Sequence, residues 1–73
     1  MKAKLEYNLP EDQSFFNAAC KATEMRSAIS DFDNELRNWV KYGHNFKTAD
    51  EALVKARDIL YVYLNSYGIN IHE

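Results

Sequence analysis

Residues 15–40 read FFNAACKATEMRSAISDFDNELRNWV, and this stretch decides the fold. Its apolar residues recur at alternating steps of three and four, which places them in one stripe along a helix. The stripe consists of Phe15, Ala18, Ala22, Met25, Ile29, Phe32, Leu36 and Trp39. An apolar stripe of this length needs a second element packed along it, so the sequence predicts a helical protein.

A second helix is predicted over residues 49–67. Thr48 and Glu51 have the capping-box spacing at its start, and Gly68 follows its end, where Ile69 can contact Leu64 in a Schellman turn. The loop before this helix is short, so the two helices should be antiparallel neighbours. The residues expected to face the first helix are Ala49, Ala52, Leu53, Ala56, Ile59, Leu60, Tyr63 and Tyr67.

The two predicted helices differ in length. A helix over residues 10–42 would be roughly 48 Å long, against roughly 28 Å for residues 49–67, which leaves roughly 20 Å of stripe uncovered. Either the long helix breaks near residues 21–26 and folds back, or a second chain covers the remainder. We expect a homo-oligomer. The candidate residues for self-association lie at the uncovered end and are Phe15, Ala18, Ala22 and Met25.

The N-terminal segment predicts a short strand. Residues 2–8 alternate, with Ala3, Leu5 and Tyr7 on one face and charged residues on the other. Pro10 then ends the strand and suits the first position of a helix. The predicted fold is therefore mostly α with a short N-terminal β-strand (α+β), built as an antiparallel helical hairpin. It forms a single domain over residues 1–73, and residues 69–73 are a short tail.

Composition limits the function classes. A chain of 73 residues buries a small core and gains stability from an oligomer, and a single cysteine, Cys20, excludes an internal disulfide and fits a reducing compartment. A net charge of −2 argues against nucleic acid as the main partner. The sequence shows neither an apolar run long enough for a membrane span nor a secretion signal, so we expect a cytoplasmic protein and no membrane partner.

The spacing of the histidine, acidic and glycine residues does not indicate a catalytic or metal-binding site. His44 and His72 have no carboxylate at ligand spacing, so no metal site is expected. Asp31, Asp33 and Glu35 occupy consecutive odd positions, which point around a helix rather than together, and this predicts a solvated face. Both glycines are at helix ends, which leaves none for a phosphate loop. We therefore expect a protein that is not an enzyme and has no cofactor.

Two sets of surface residues remain as candidates for binding. Aromatic and aliphatic side chains off the predicted core serve well as interface anchors, and they are Trp39, Tyr42, Phe46, Val54, Tyr61 and Val62. Basic side chains that meet tyrosine rings could hold an anion such as a nucleotide. These candidate anion contacts are Arg37, Lys41, Lys47 and Arg57.

Several segments stand in a distinctive order along nearly the full length: residues 5–12 (LEYNLPED), 27–37 (SAISDFDNELR), 41–43 (KYG), and 56–60 (ARDIL) with 68–69 (GI). In combination they resemble a family of small tailed-phage proteins, some of them labelled rIIB-like. The resemblance implies a phage-encoded accessory protein made in the cytoplasm of the infected host. It carries no catalytic residues with it.

Three hypotheses for function follow. The favoured one is a non-catalytic phage accessory protein that self-associates and binds a host bacterial protein of the defence or replication machinery, which it modulates or inhibits. The second is an oligomeric binder, or sponge, for a nucleotide signal. The third is an accessory factor of the phage DNA replication module, which would require the basic residues to gather on one face.

Overall fold

The computed structural model describes residues 1–72 and consists of three helices. These are α1 (Gln13–Cys20), α2 (Ala22–Tyr42) and α3 (Ala49–Ser66). Helices α2 and α3 pack against each other as an antiparallel hairpin, and α1 lies at the open end of that hairpin, where it adjoins α2. Helix α1 does not pack against α3.

The predicted N-terminal strand is wrong, and so is the α+β class: the described chain is all-helical, with no strand in residues 1–72. Residues 1–8 are irregular, because a strand exists only where a neighbouring backbone supplies its hydrogen bonds. The C-terminal tail, which could have paired with them, turns back on α3 instead. Tyr7 packs edge-on against the ring of Phe16 at 5.8 Å, while Leu5 is exposed.

The first helix starts three residues later than the predicted Pro10. Residues 9–12 form a turn, in which Asp12 N–H donates to Asn8 O at 2.7 Å and the Asp12 carboxylate accepts from Asn8 N–H at 3.0 Å. This reciprocal pair holds the turn closed, and regular helix follows from Gln13. The aspartate is thus used to close the turn before the helix.

The helix predicted over residues 10–42 is divided at Lys21. Here the backbone leaves helical geometry for one residue, with φ −103° and ψ 7°, and α2 begins at Ala22. The division does not fold α1 back over the apolar stripe, because Phe15 remains 65% exposed. The Lys21 ammonium instead lies beside Gly68 at the C-terminal end of α3, where the helix dipole favours a cation.

Local sequence signals fix both ends of α3. Glu51 N–H donates to Thr48 Oγ1 at 3.1 Å, and the Glu51 carboxylate accepts from Lys47 N–H at 2.8 Å, so both side chains of the predicted capping box are used. At the other end Ile69 N–H donates to Leu64 O at 2.9 Å, and Gly68 adopts φ +71°. This is the predicted Schellman turn, which favours glycine at that position because glycine has no Cβ.

The core is small and lies near that turn. Its buried side chains are Ala28 of α2, Leu64 of α3 and Ile69 of the tail, and the half-buried Met25 packs against them. The predicted core positions Ile29 and Leu53 are instead 60% and 68% exposed. Ala28 is fully buried against α3, and its small side chain lets the backbones come together, which rotates Ile29 out of the interface.

Candidate functional site

Two tyrosine–carboxylate hydrogen bonds join α2 and α3 along one side of the hairpin. Tyr63 Oη donates to Glu35 Oε2 at 3.3 Å, and Tyr67 Oη donates to Asp31 Oδ2 at 2.8 Å. All four residues are half-buried. Residue numbers rise along α3 as they fall along α2, which is the register of an antiparallel pair. We call these four residues the polar seam.

The polar seam shifts the acidity of its tyrosines. Burial and then the Glu35 charge raise the pKa of Tyr63 above its usual value, while the hydrogen bond to Asp31, followed by burial, raises the pKa of Tyr67. Both phenols therefore stay protonated at neutral pH and act as hydrogen-bond donors rather than bases. The seam can hold the helices in register, and its phenols are poorly suited to proton abstraction.

The sequence interpretation of the acidic residues was wrong for two of the three. Asp33 is exposed, but Asp31 and Glu35 are half-buried and bonded rather than solvated. The signal was present: Asp31 and Glu35 are four residues apart, and so are Tyr63 and Tyr67. Side chains at this spacing share one helix face, so two such pairs predict a ladder across an antiparallel interface.

The other side of α2 carries an apolar surface without a cover. Ala22, Ile29, Leu36 and Val40 follow at steps of seven, seven and four, which places them on one line along the helix. Ile29 is 60% exposed and Val40 is 87% exposed, whereas Leu36 is half-buried. We call these four residues the apolar flank.

The residues expected at the self-association end divide between surface and core. Phe15, Ala18 and Ala22 are exposed, but Met25 is half-buried against the core. Phe15 and the apolar flank thus form a discontinuous apolar surface that runs from α1 to the far end of α2.

The predicted interaction surface is not one patch. Trp39 and Phe46 are half-buried and pack edge to face with ring centroids 5.0 Å apart, which closes the loop end of the hairpin. Tyr42 stands exposed at the same end. Val54 and Val62 are exposed on the outer side of α3.

Tyr61 holds the C-terminal tail. Its hydroxyl lies 3.0 Å from Nε2 of His72, and the two rings are tilted against each other at 6.0 Å. The Arg57 guanidinium lies 5.8 Å from the centre of the same ring. A side chain with these contacts stabilises the fold and has little surface left for a partner.

The candidate anion contacts are exposed, and none belongs to the lining of the cleft described below. Lys41 lies over the ring of its neighbour Tyr42 at 5.4 Å, and Arg57 lies over Tyr61 on the same helix. Arg37 and Lys47 complete the set, and the Lys47 backbone N–H donates to the cap of α3. Each cation–ring contact stays within its own helix.

A cleft of about 820 Å³ opens between α1 and the C-terminal tail. Its lining includes the buried Ile69 and the half-buried Met25, and Lys21 is the one charged side chain that residues 1–72 contribute to it. The remaining lining residues are Gln13, Ser14, Asn17, Ala18, Cys20, Gly68, Asn70 and Ile71. The cleft exists because α1 and α3 do not pack together.

Neither a metal-binding cluster nor a membrane-spanning helix occurs in the described part of the chain. Residues 1–72 contain no group of three or more His, Cys, Asp or Glu side chains that could hold a metal ion. Over the same residues, no helix combines the length and apolar character needed to cross a membrane.

Comparison of the chain with protein-family models, with curated proteins and with solved structures returns no significant match.

Proposed function

We propose that this chain is a non-catalytic interaction protein that associates with itself through the apolar flank and Phe15. The carboxylates and phenols of the polar seam are engaged in holding the hairpin together, whereas large apolar side chains face water. The observation that carries the proposal is the amount of surface that the chain leaves exposed.

The accessible surface exceeds that of a compact monomer, which supports the proposal. The chain exposes 6349 Å² at a mass of 8.5 kDa, whereas a folded monomer of this mass exposes about 4,700 Å². The radius of gyration is 16.5 Å, against about 11 Å for a compact domain of this length. Part of the excess belongs to residues 1–8, and part lies on the helices. The excess is about twice the roughly 800 Å² that each partner buries in a standard protein interface.

Burial of the exposed side chains would supply the association energy. Covering a side chain the size of Ile29 or Phe15 contributes about 1.5–3 kcal/mol, and a symmetric dimer buries each of them twice. The same burial would support the small core, because an interaction that exists only in the folded state stabilises that state.

The assembled protein would still present Tyr42 at the loop end of the hairpin, because Tyr42 lies roughly 140° around α2 from Ile29. Tyr42 is exposed there next to Lys41, and tyrosine is common among the residues that anchor interfaces. Given the resemblance to phage accessory proteins, we propose a bacterial host protein as the further partner of this end, met in the host cytoplasm.

Thermal melting at several protein concentrations tests the self-association. We expect the melting temperature of the unaltered chain to rise over a roughly hundredfold increase in concentration, because mass action stabilises an associating fold. Ile29→Glu should remove this dependence. Val62→Glu is the matched control, since it places the same charge on a 55% exposed aliphatic position of the outer side of α3 and should keep it. A melting temperature of the unaltered chain that does not depend on concentration would contradict the proposal.

A further inference from the structure

We infer that the occupant of the apolar flank is a second copy of this chain, docked antiparallel, with its two-fold axis next to Ile29. The inference rests on the proposed self-association and adds its geometry. In this arrangement each α2 lies between its own α3 and the α2 of the partner.

The spacing of the apolar residues is symmetric about Ile29. Ala22 and Leu36, both within α2, lie seven residues on either side of it. An antiparallel two-fold axis pairs each position with the one at the same distance on the other side. Leu36 of one protomer therefore meets Ala22 of the other, so a large side chain faces a small one on both sides of the axis.

The arrangement also gives α1 a role. Helix α1 precedes the N-terminal end of α2, and Gly43 follows its C-terminal end. The antiparallel axis places these two ends side by side, so α1 of one protomer comes to the loop end of α2 of the other. Within a single chain, α1 leaves α3 untouched. Helix α1, which does not contact α3 of its own chain, then packs on the α2 helix of the partner.

Charge selects the antiparallel direction over the parallel one. Arg26 and Asp33 are both exposed and lie within roughly 60° of Ile29 around the helix, three residues before it and four after it. An antiparallel pair places Arg26 of each protomer beside Asp33 of the other, which makes two opposite-charge contacts. A parallel pair would place the charged residues of the two protomers at opposite edges of the interface, where neither contact forms.

The native cysteine makes the direction measurable. Cys20 is the only cysteine of the chain and is exposed, and it lies nine residues before Ile29. Nine residues are two and a half helical turns, so the labels lie on the side of each helix away from Ile29 and are roughly 20 Å apart across a parallel dimer. An antiparallel dimer adds an axial offset of roughly 27 Å, so a spin label on each Cys20 should give a dipolar EPR distance of roughly 35 Å.

The outcomes separate the two proposals. A distance near roughly 35 Å in a sample of dimer mass supports the antiparallel arrangement. A dimer with labels near roughly 20 Å overturns that arrangement and leaves self-association standing. A sample of monomer mass with no dipolar coupling overturns both.

A charge reversal gives an independent readout on unlabelled protein. Arg26→Glu should weaken the dimer about tenfold, because two contacts become repulsive, and adding Asp33→Arg should restore it. Lys55→Glu makes the same kind of charge change on an exposed position of α3 and should leave the dimer unaffected. A double variant as weak as the single one would overturn the antiparallel pairing.

Discussion

The two sides of α2 differ in what contacts them. On one side, Asp31 and Glu35 are half-buried and accept hydrogen bonds from tyrosines of α3 in the same chain. On the other side, roughly 120–180° around the helix, Ile29 and Val40 face water. The hairpin satisfies these polar groups internally and leaves apolar surface for another chain. The half-buried carboxylates of a helix can therefore all have hydrogen-bond donors while part of its apolar surface has nothing packed against it.

The largest effect should come from the core that the hairpin does complete. Leu64→Ala removes a side chain that is 4% exposed and should lower the free energy of unfolding by about 2–5 kcal/mol, which would unfold much of so small a protein. Leu53→Ala makes the same change on α3 at an exposed position and should cost about 0.5 kcal/mol or less. Urea titration followed by circular dichroism measures both, and equal losses would contradict the assigned core.

A charge at Phe15 of α1 should weaken the assembly of the dimer rather than the folding of the chain. Phe15→Asp should weaken the dimer by about tenfold to a hundredfold, since a phenyl ring buried in the interface becomes a charge. The hairpin should keep its helical circular dichroism because α1 does not pack on α3. Ser14→Asp adds the same charge to the adjacent position of α1 and serves as the control. Sedimentation velocity that shows unchanged association for Phe15→Asp would remove α1 from the interface.

The cap of α3 should have a smaller effect that is independent of assembly. Thr48→Ala removes the acceptor for Glu51 N–H and should lower the free energy of unfolding by about 1 kcal/mol. Thr23→Ala changes an exposed threonine within α2 and should cost less than that. Denaturation at a fixed protein concentration compares them, and a larger loss for Thr23→Ala would count against the cap.

The polar seam should make the stability of the fold depend on pH in the alkaline range. The pKa values of Tyr63 and Tyr67 are raised above 10.0 in the folded chain, so the unfolded chain loses these protons first as pH rises. Their contribution to stability should be complete below about pH 10 and should fall as pH rises through the folded values. Absorbance titration of the phenolates should lose its latest component in Tyr67→Phe and keep it in Tyr42→Phe, whose ring is exposed. Loss of the same component in both variants would contradict the seam.

Local signals in the sequence predicted local structure well. Thr48 with Glu51, and Gly68 with Ile69, define the ends of α3, because caps and Schellman turns depend on a few neighbouring residues. The alternation of residues 2–8 misled the strand prediction, since the pattern is the same whether or not a second strand is available. The periodicity of a segment predicts which of its side chains share a face, but it does not show whether another element packs against that face.

The rotation of α2 was harder to predict. A stripe defined by large apolar residues includes Ile29, but the actual interface buries Ala28, whose small size sets the helix separation. The acidic residues showed the opposite error, because Asp31 and Glu35 were expected on a solvated face although their spacing matches that of Tyr63 and Tyr67. Both errors have one source: periodicity defines the faces of each helix, whereas the phase between two helices is decided by packing.

Mass in solution tests the central claim most directly. Light scattering on the unaltered chain, measured over a wide range of concentrations, should give twice the 8.5 kDa chain mass at the upper end and a decrease upon dilution. A mass that stays at 8.5 kDa throughout would show that the apolar flank has no second copy to cover it.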